Sequence, residues 1–375
     1  KNFGYQRTII PIMKKLPLTL KEPIPSPSLL LDAQKVESNI EQMIGIAGEN
    51  FRERLRPHLK THKMSALTKI QIKKGITKFK ASTIKEAEMA ATIEAKDILL
   101  AHQPVGPNID RLKNLVESFP KTSFAAITDN ISTAEAIAKT IGASSQPFRL
   151  FIDINCGMNR TGISFDEQIE SLKESIINND SSIFSGFHIY DGHLHQPSID
   201  SRKKSVLEIK EQIVKHLKPS SSDEIIVGGS PTFALWAELS EWNLSPGTVT
   251  LWDYGYSNLF PDLNFEIAAY LLTRVISKPD KNLICLDLGH KSVAAENPIE
   301  KRVYFPEIET FKIISQSEEH LVIECPDSDR FEIGQHLIGQ PQHICPTVAL
   351  HSKANLIIDN NITSKSWEVT SRNRV

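Results

Sequence analysis

The chain has 375 residues, 40% hydrophobic and 23% charged, with a formal net charge of -2. That length suits one large and one smaller domain, and the balanced charge gives no footprint for nucleic acid or an anionic membrane surface. No apolar run approaches the roughly 20 residues of a membrane helix, and the four cysteines (Cys156, Cys285, Cys325, Cys345) are scattered without a disulfide framework, so a cytoplasmic protein is expected.

At the N-terminus, "IIPIM" is too short and Pro-broken for a signal peptide, and "RTIIPIM" is expected to add a strand to a β domain. "SLLLD" reads as a strand, Asp32 as an N-cap, and Val36, Ile40, Met43, Ile44 and Ala47 as one helical face. The alternation then repeats. "ITKFKAS", "DILLAH", "SFAAIT", "FRLFIDIN", "FSGFHIYDG" and "DEIIVGG" read as strands, and helical patterns lie between them, the last around "TFALWAELS". Roughly eight such units between residues 28 and 255 predict a (β/α)8 TIM-type barrel rather than a doubly wound sheet. No G-x-G-x-x-G follows the first strand, which argues against a dinucleotide site. From 256 to 375 short β-branched runs such as "NLICLDLG", "HLVIEC" and "ANLIID" alternate with turn residues, predicting an all-β domain that residues 1–27 join.

The chain's densest basic run is "RPHLKTHK", residues 56–63. Read as the second barrel strand, it puts Arg56, His58, Lys60 and His62 on one face. Four basic groups cannot share a packed barrel centre without desolvation and repulsion. They belong at the C-terminal mouth, near an anion, where crowding would make the lysine a better amine nucleophile for carbonyl chemistry. A solvated basic edge or turn is the bland alternative. "GGSPT", residues 228–232, lies between strand and helix, where glycine amides can converge on an anion. In "YDGHLH" alternation puts His193 and His195 on one face, either as a metal pair or as a polar wall. In "QHICPT" His343 and Cys345 stand two apart, a spacing that lets both face one metal from an extended segment, although a buried Cys is more often only packing.

"RPHLKTHK" resembles the cofactor-lysine segment of the fold-type III pyridoxal-phosphate enzymes of the D-threonine aldolase and D-serine dehydratase group, relatives of alanine racemase. The resemblance runs over nearly the whole chain. "PSLLLD" opens the barrel as in that family, and "GMNRTG" is similar to the alanine racemase segment whose arginine meets the cofactor's phenolic oxygen. It implies that Lys60, not Lys63, carries the cofactor, with His58 beside it. By the same likeness Arg160 meets the phenolic oxygen, Tyr190 contacts the ring, and Gly228, Gly229, Ser230 and Thr232 form the phosphate loop, with Tyr256 of "SPGTVTLWDYGY" reaching it. His343 and Cys345 would hold a divalent metal, zinc before manganese. The resemblance also implies a homodimer acting on a small D-amino acid.

The implied reactions are retro-aldol cleavage of a D-3-hydroxy amino acid to glycine and an aldehyde, or dehydration to a 2-oxo acid and ammonia. His193 or His195 is the candidate base beside Lys60. Cys345 matches the dehydratases, whereas "PTVAL" and "CLDLGHKSVAAE" look like the aldolase side, which makes the aldolase the leading expectation. A racemase would need a second acid/base opposite the lysine and no His343–Cys345 pair. A pyridoxal-phosphate carrier would lack the second domain.

Overall fold

Apolar runs and caps set the elements close to where the sequence puts them. A computed structural model describes residues 16–142 and 147–375, so the expected strand in "RTIIPIM" lies outside the described residues. Asp32 caps the helix Ala33–Ala47 by accepting from Lys35 N at 3.1 Å, and Val36, Ile40, Met43 and Ala47 form its buried stripe. None of the helices described is long and apolar enough to cross a membrane.

Seven strands form a curled parallel sheet in chain order: Lys78–Ala81, Asp97–Leu100, Ser123–Thr128, Phe148–Ile154, Ser182–Ile189, Glu224–Val227 and Asn243–Leu244. All but the two-residue Asn243–Leu244 are short runs with most residues buried, as strands covered on both faces require. Gly186 makes a bulge opposite Leu150–Phe151. Its φ is +133°, and a Cβ there would lie 1.9 Å from Glu224 O, so only glycine fits.

Two expectations change here. The run "RPHLKTH" is not a full strand. Leu55 bridges Leu244 on one side and His58 bridges Lys80 on the other, with Arg56 N donating to Leu244 O and Lys80 N to Pro57 O at 2.8 and 2.9 Å. Pro57 lacks an N–H, and the chain winds into a 3-10 turn at Leu59–Thr61 before a ladder can form. The strand Ser28–Asp32, expected to open the barrel, instead lies in the second sheet. There it pairs in parallel with Lys353–Ile358 and antiparallel to Ala269–Ser277. Its three leucines are buried in that sheet, and the following helix crosses to pack near Thr248–Thr250 and Phe233–Leu239. The parallel layer is therefore seven strands plus the Leu55–His58 segment.

The second sheet has ten strands among the described residues. Its main path runs Thr19–Leu20, Asn361–Glu368, Lys353–Ile358, Ser28–Asp32, Ala269–Ser277, Leu283–Leu286, Leu321–Glu324 and Lys312–Gln316; His336–Pro341 branches from Ala269–Ser277 and pairs in turn with Val303–Tyr304.

The N-terminal end of the parallel sheet is closed by charge. The Arg56 side chain is fully buried and donates to Asp97 at 2.5 Å and Glu224 at 3.2 Å. Arg149 bonds the same two carboxylates at 2.8 and 2.9 Å. Burial pushes the Asp97 carboxyl up, and the two guanidiniums outweigh it and hold it at about 2. Arg56 thus stands at the base, not the mouth. Carboxylates from two distant strands compensate its burial, and a reading of local sequence could not supply them.

Candidate active site

Lys60 sits in the 3-10 turn just past the closing segment, with the His58 ring accepting from Lys60 N at 3.3 Å. Its Nζ is 5.3 Å from the centre of the Tyr190 ring. Lys80 Nζ lies 5.6 Å and the Arg160 guanidinium 5.1 Å from the same centre. Among the described residues neither Lys60 Nζ nor Arg160 has a carboxylate partner. Burial, then the charges of Lys60, Lys80 and His188, push the buried His58 well below the usual imidazole range.

His62 does not join this cluster. It is buried and accepts from Met64 N at 3.1 Å, and burial with the Lys63 charge holds it at about 3. Lys63 adopts φ +55° and pairs with the buried Glu86, which also accepts from Ser82 N at 2.7 Å. Lys63 O accepts from Ser371 N at 3.0 Å. The basic run therefore divides its labour: Arg56 closes the base, His58 and Lys60 face the mouth, and Lys63 anchors the turn.

Below Tyr190 lies a group that the sequence reading missed. Lys80 Nζ is 3.4 Å from His188 Nε2, and His188 Nδ1 is 2.7 Å from Asp153 Oδ1. Burial and the Lys60 charge, against Asp153 and Asp191, bring buried Lys80 down to about 7. The available signal was a charged residue at alternate positions near the C-terminal end of otherwise apolar strands: Lys80 in "KFKAS", Asp153 in "FIDIN" and His188 in "GFHIY".

Arg160 rides on a braced loop. Asn155 Oδ1 accepts from Gly157 N and Asn159 N at 3.1 and 3.0 Å, and Thr161 Oγ1 donates to Asp153 at 2.9 Å. On the other side, Gly228 has φ +79°, and a Cβ there would press on Trp236 at 2.8 Å. The two hydroxyls expected at a phosphate are engaged within the fold. Ser230 Oγ accepts from Gly247 N and Thr248 N at 3.1 and 2.8 Å, and Thr232 Oγ1 donates to Asp191 at 2.9 Å. Tyr256 lies half-buried against Trp252 and Phe260.

His193 and His195 do not form a metal pair. The strand ends at Ile189, and a turn at Gly192–His193 breaks the alternation. His193 lies beside Gly157, while His195 Nε2 bonds Gly192 O at 2.7 Å and its ring stacks toward Phe260.

His343 and Cys345 come together, but through a helix start instead of an extended segment. His343 is the N-cap of Ile344–Val348. Burial raises the Cys345 thiol, yet the His343 hydrogen bond and charge, helped by Lys60, bring it below its usual value. Burial lowers His343, and Cys345, Asp253 and Glu296 raise it to about 9. Cys345 Sγ lies 3.2 Å from Thr61 Oγ1 and 3.4 Å from Thr248 Oγ1, next to the Lys60 turn. Among the described residues no cluster of three or more His, Cys, Asp or Glu side chains is arranged for a metal.

Two family models match: the alanine racemase N-terminal domain over residues 31–254 and the putative serine dehydratase domain over residues 268–357. The chain belongs to the fold-type III pyridoxal-phosphate family of D-threonine aldolase and D-serine dehydratase. It is, like its relatives, a lyase. It is 24% identical over 359 residues to D-threonine aldolase of Arthrobacter sp, covering 93% of each chain. It is 25% identical over 368 residues to D-serine dehydratase of Dictyostelium discoideum, covering 84% and 89%. Among solved structures, D-threonine aldolase of Filomicrobium marinum has a TM-score of 0.84 at 23% identity, covering 93% of this chain and 95% of that one. D-threo-3-hydroxyaspartate dehydratase of Delftia sp. HT23 has a TM-score of 0.78 at 21% identity, covering 92% and 97%.

Pyridoxal phosphate is the cofactor this family implies. The residues present fit it. An amine and a guanidinium without carboxylate partners share one aromatic ring, which suits an anionic carbonyl compound.

Proposed function

We propose that this lyase acts on D-3-hydroxy amino acids with pyridoxal phosphate and a divalent metal, cleaving them by retro-aldol reaction to glycine and an aldehyde. The supporting observation is the contact of Cys345 Sγ with Thr61 Oγ1 at 3.2 Å, which sets the His343–Cys345 donors beside the residue that follows Lys60. In this reading Lys60 carries the cofactor, Arg160 and Tyr190 bind its ring side, and the Gly228–Thr232 loop with Tyr256 takes its phosphate end. His343 and Cys345 offer one nitrogen and one soft sulfur, a donor set suited to zinc. Water and substrate would complete the coordination.

Bound pyridoxal phosphate supplies an electron sink for the pair left at Cα when a bond there breaks. A divalent ion supplies a Lewis acid for the substrate's β-hydroxyl. In the retro-aldol reading a base takes the hydroxyl proton as the Cα–Cβ bond breaks, and Lys60 returns a proton to Cα. His193 is our candidate for that base, because among the described residues its ring nitrogens make no hydrogen bond and the ring lies beside Gly157 of the Arg160 loop. Cys345 favours a second reading, because a soft thiolate is the dehydratase-type ligand. There Lys60 takes the Cα proton, the hydroxyl leaves as water, and a 2-oxo acid and ammonia follow.

Product analysis with D-threonine, pyridoxal phosphate and zinc or manganese separates the readings. Glycine and acetaldehyde establish the aldolase; a 2-oxo acid and ammonia establish the dehydratase. Chelator-insensitive interconversion of D- and L-alanine would overturn both in favour of a racemase. Lys60→Ala is expected to abolish the visible absorbance of lysine-bound cofactor and to lower turnover at least about a thousandfold. A variant that keeps both would remove Lys60 from its role.

A further inference from the structure

The segment "CLDLGHKSVAAE" ends in Glu296, and the proposed chemistry leaves this residue without a task. Its Oε1 lies 2.7 Å from His343 Nδ1. With that nitrogen donating to the carboxylate, Nε2 is the ring's remaining acceptor, and the imidazole also interacts with Cys345 two residues on. We infer that Glu296 is the positioning residue for His343. It fixes the ring's tautomer and direction, so that Nε2 and the Cys345 sulfur present their lone pairs to one divalent cation. The inference rests on the metal role proposed for His343 and Cys345.

The backbone around Glu296 is tied to the histidine's own segment on both sides. Before it, Ala294 N donates to Thr347 Oγ1 at 3.2 Å, and that hydroxyl donates to His343 O at 2.8 Å. After it, Arg302 Nε donates to Asn297 O at 2.9 Å, while Gln342 N donates to Arg302 O at 3.0 Å. One residue, Thr347, spans the first tie, and Arg302 spans the second. The pair itself is half-exposed, with side-chain exposures of 41% for His343 and 45% for Glu296. A pair this open to water adds little to folding, so the double tie is better understood as aiming the imidazole. A carboxylate on the far nitrogen of a metal-ligating histidine sets the ring's orientation and raises its basicity.

Cobalt(II) tests this on the cofactor-loaded protein, with affinity measured by chelator competition and the cobalt–thiolate absorption recorded alongside. Glu296→Gln is expected to weaken cobalt binding about 10- to 100-fold. Its cofactor absorbance and melting temperature should stay at wild-type values, and Glu296→Asp should recover part of the loss. Equal cobalt affinity in wild type and Glu296→Gln would overturn the inference while leaving the metal reading intact. Wild type that binds cobalt without a thiolate band would overturn the metal reading itself, and the inference with it.

Discussion

Lys80 carries a cost that depends on pH. It titrates near 7 in the fold and near 10.4 in an unfolded chain. Between those values the unfolded chain binds more protons, so the free energy of unfolding rises with pH across that window. Below pH 7 both states are protonated, and the cost of burying the charge is fully present. In cofactor-stripped protein, wild type should gain about 2 kcal/mol relative to Lys80→Met between pH 7 and pH 9, measured by urea unfolding. Parallel pH profiles would show that Lys80 is not buried as a strained cation. The sequence offered Lys60, Arg160 and the His343–Cys345 pair as candidates because each sits in a compact motif, and the structure brings Lys60 and Arg160 to one aromatic ring. Lys80, His188 and Asp153 were not among them. They come from three strands, and alternation tells which face a residue takes but not how deep in the barrel it lies or whom it meets.

At the scale of elements, strands and helices follow the periodicity, and the departures occur where a single residue overrides it. Pro57 turns an expected strand into a bridge and a 3-10 turn, so that Arg56 pairs with Asp97 and Glu224 while Lys60 reaches the Tyr190 ring. Removing Arg56 tests the base: Arg56→Met leaves Asp97 and Glu224 short of a buried partner and should cost about 3 kcal/mol in chemical denaturation. A loss under about 1 kcal/mol would mean that Arg149, with Lys78 at 3.6 Å from Glu224, balances both carboxylates. The bulge at Gly186 makes a second test. Gly186→Ala forces a methyl group against the Glu224 carbonyl and should lower stability by at least about 3 kcal/mol in a thermal melt, because backbone, not a flexible side chain, is in the way. A melt within a few degrees of wild type would show that the bulge can relax.

For the whole molecule, chain crossings and hydrogen bonds join the two sheets. The chain runs through the second sheet at Thr19–Leu20 and Ser28–Asp32, crosses to the parallel layer, and returns at Ala269. Asp253 ties Tyr256 N at 2.8 Å and Ile344 N at 3.0 Å, and the C-terminal Ser371 holds the Lys60 turn through Lys63 O. Far-UV and near-UV circular dichroism should therefore melt together, and a chain cut after residue 268 should not fold. Separate transitions would mean that the sheets are independent. The sequence could not assign "SLLLD" to its sheet, because a strand followed by an amphipathic helix reads the same whichever layer takes the strand. The charged stopper at the base has a consequence for proton traffic. With the Arg56 guanidinium filling the floor between Asp97 and Glu224, a proton that moves on or off Lys80 or His188 is expected to pass by the Tyr190 end of the sheet, so a bound molecule there should slow their exchange with solvent.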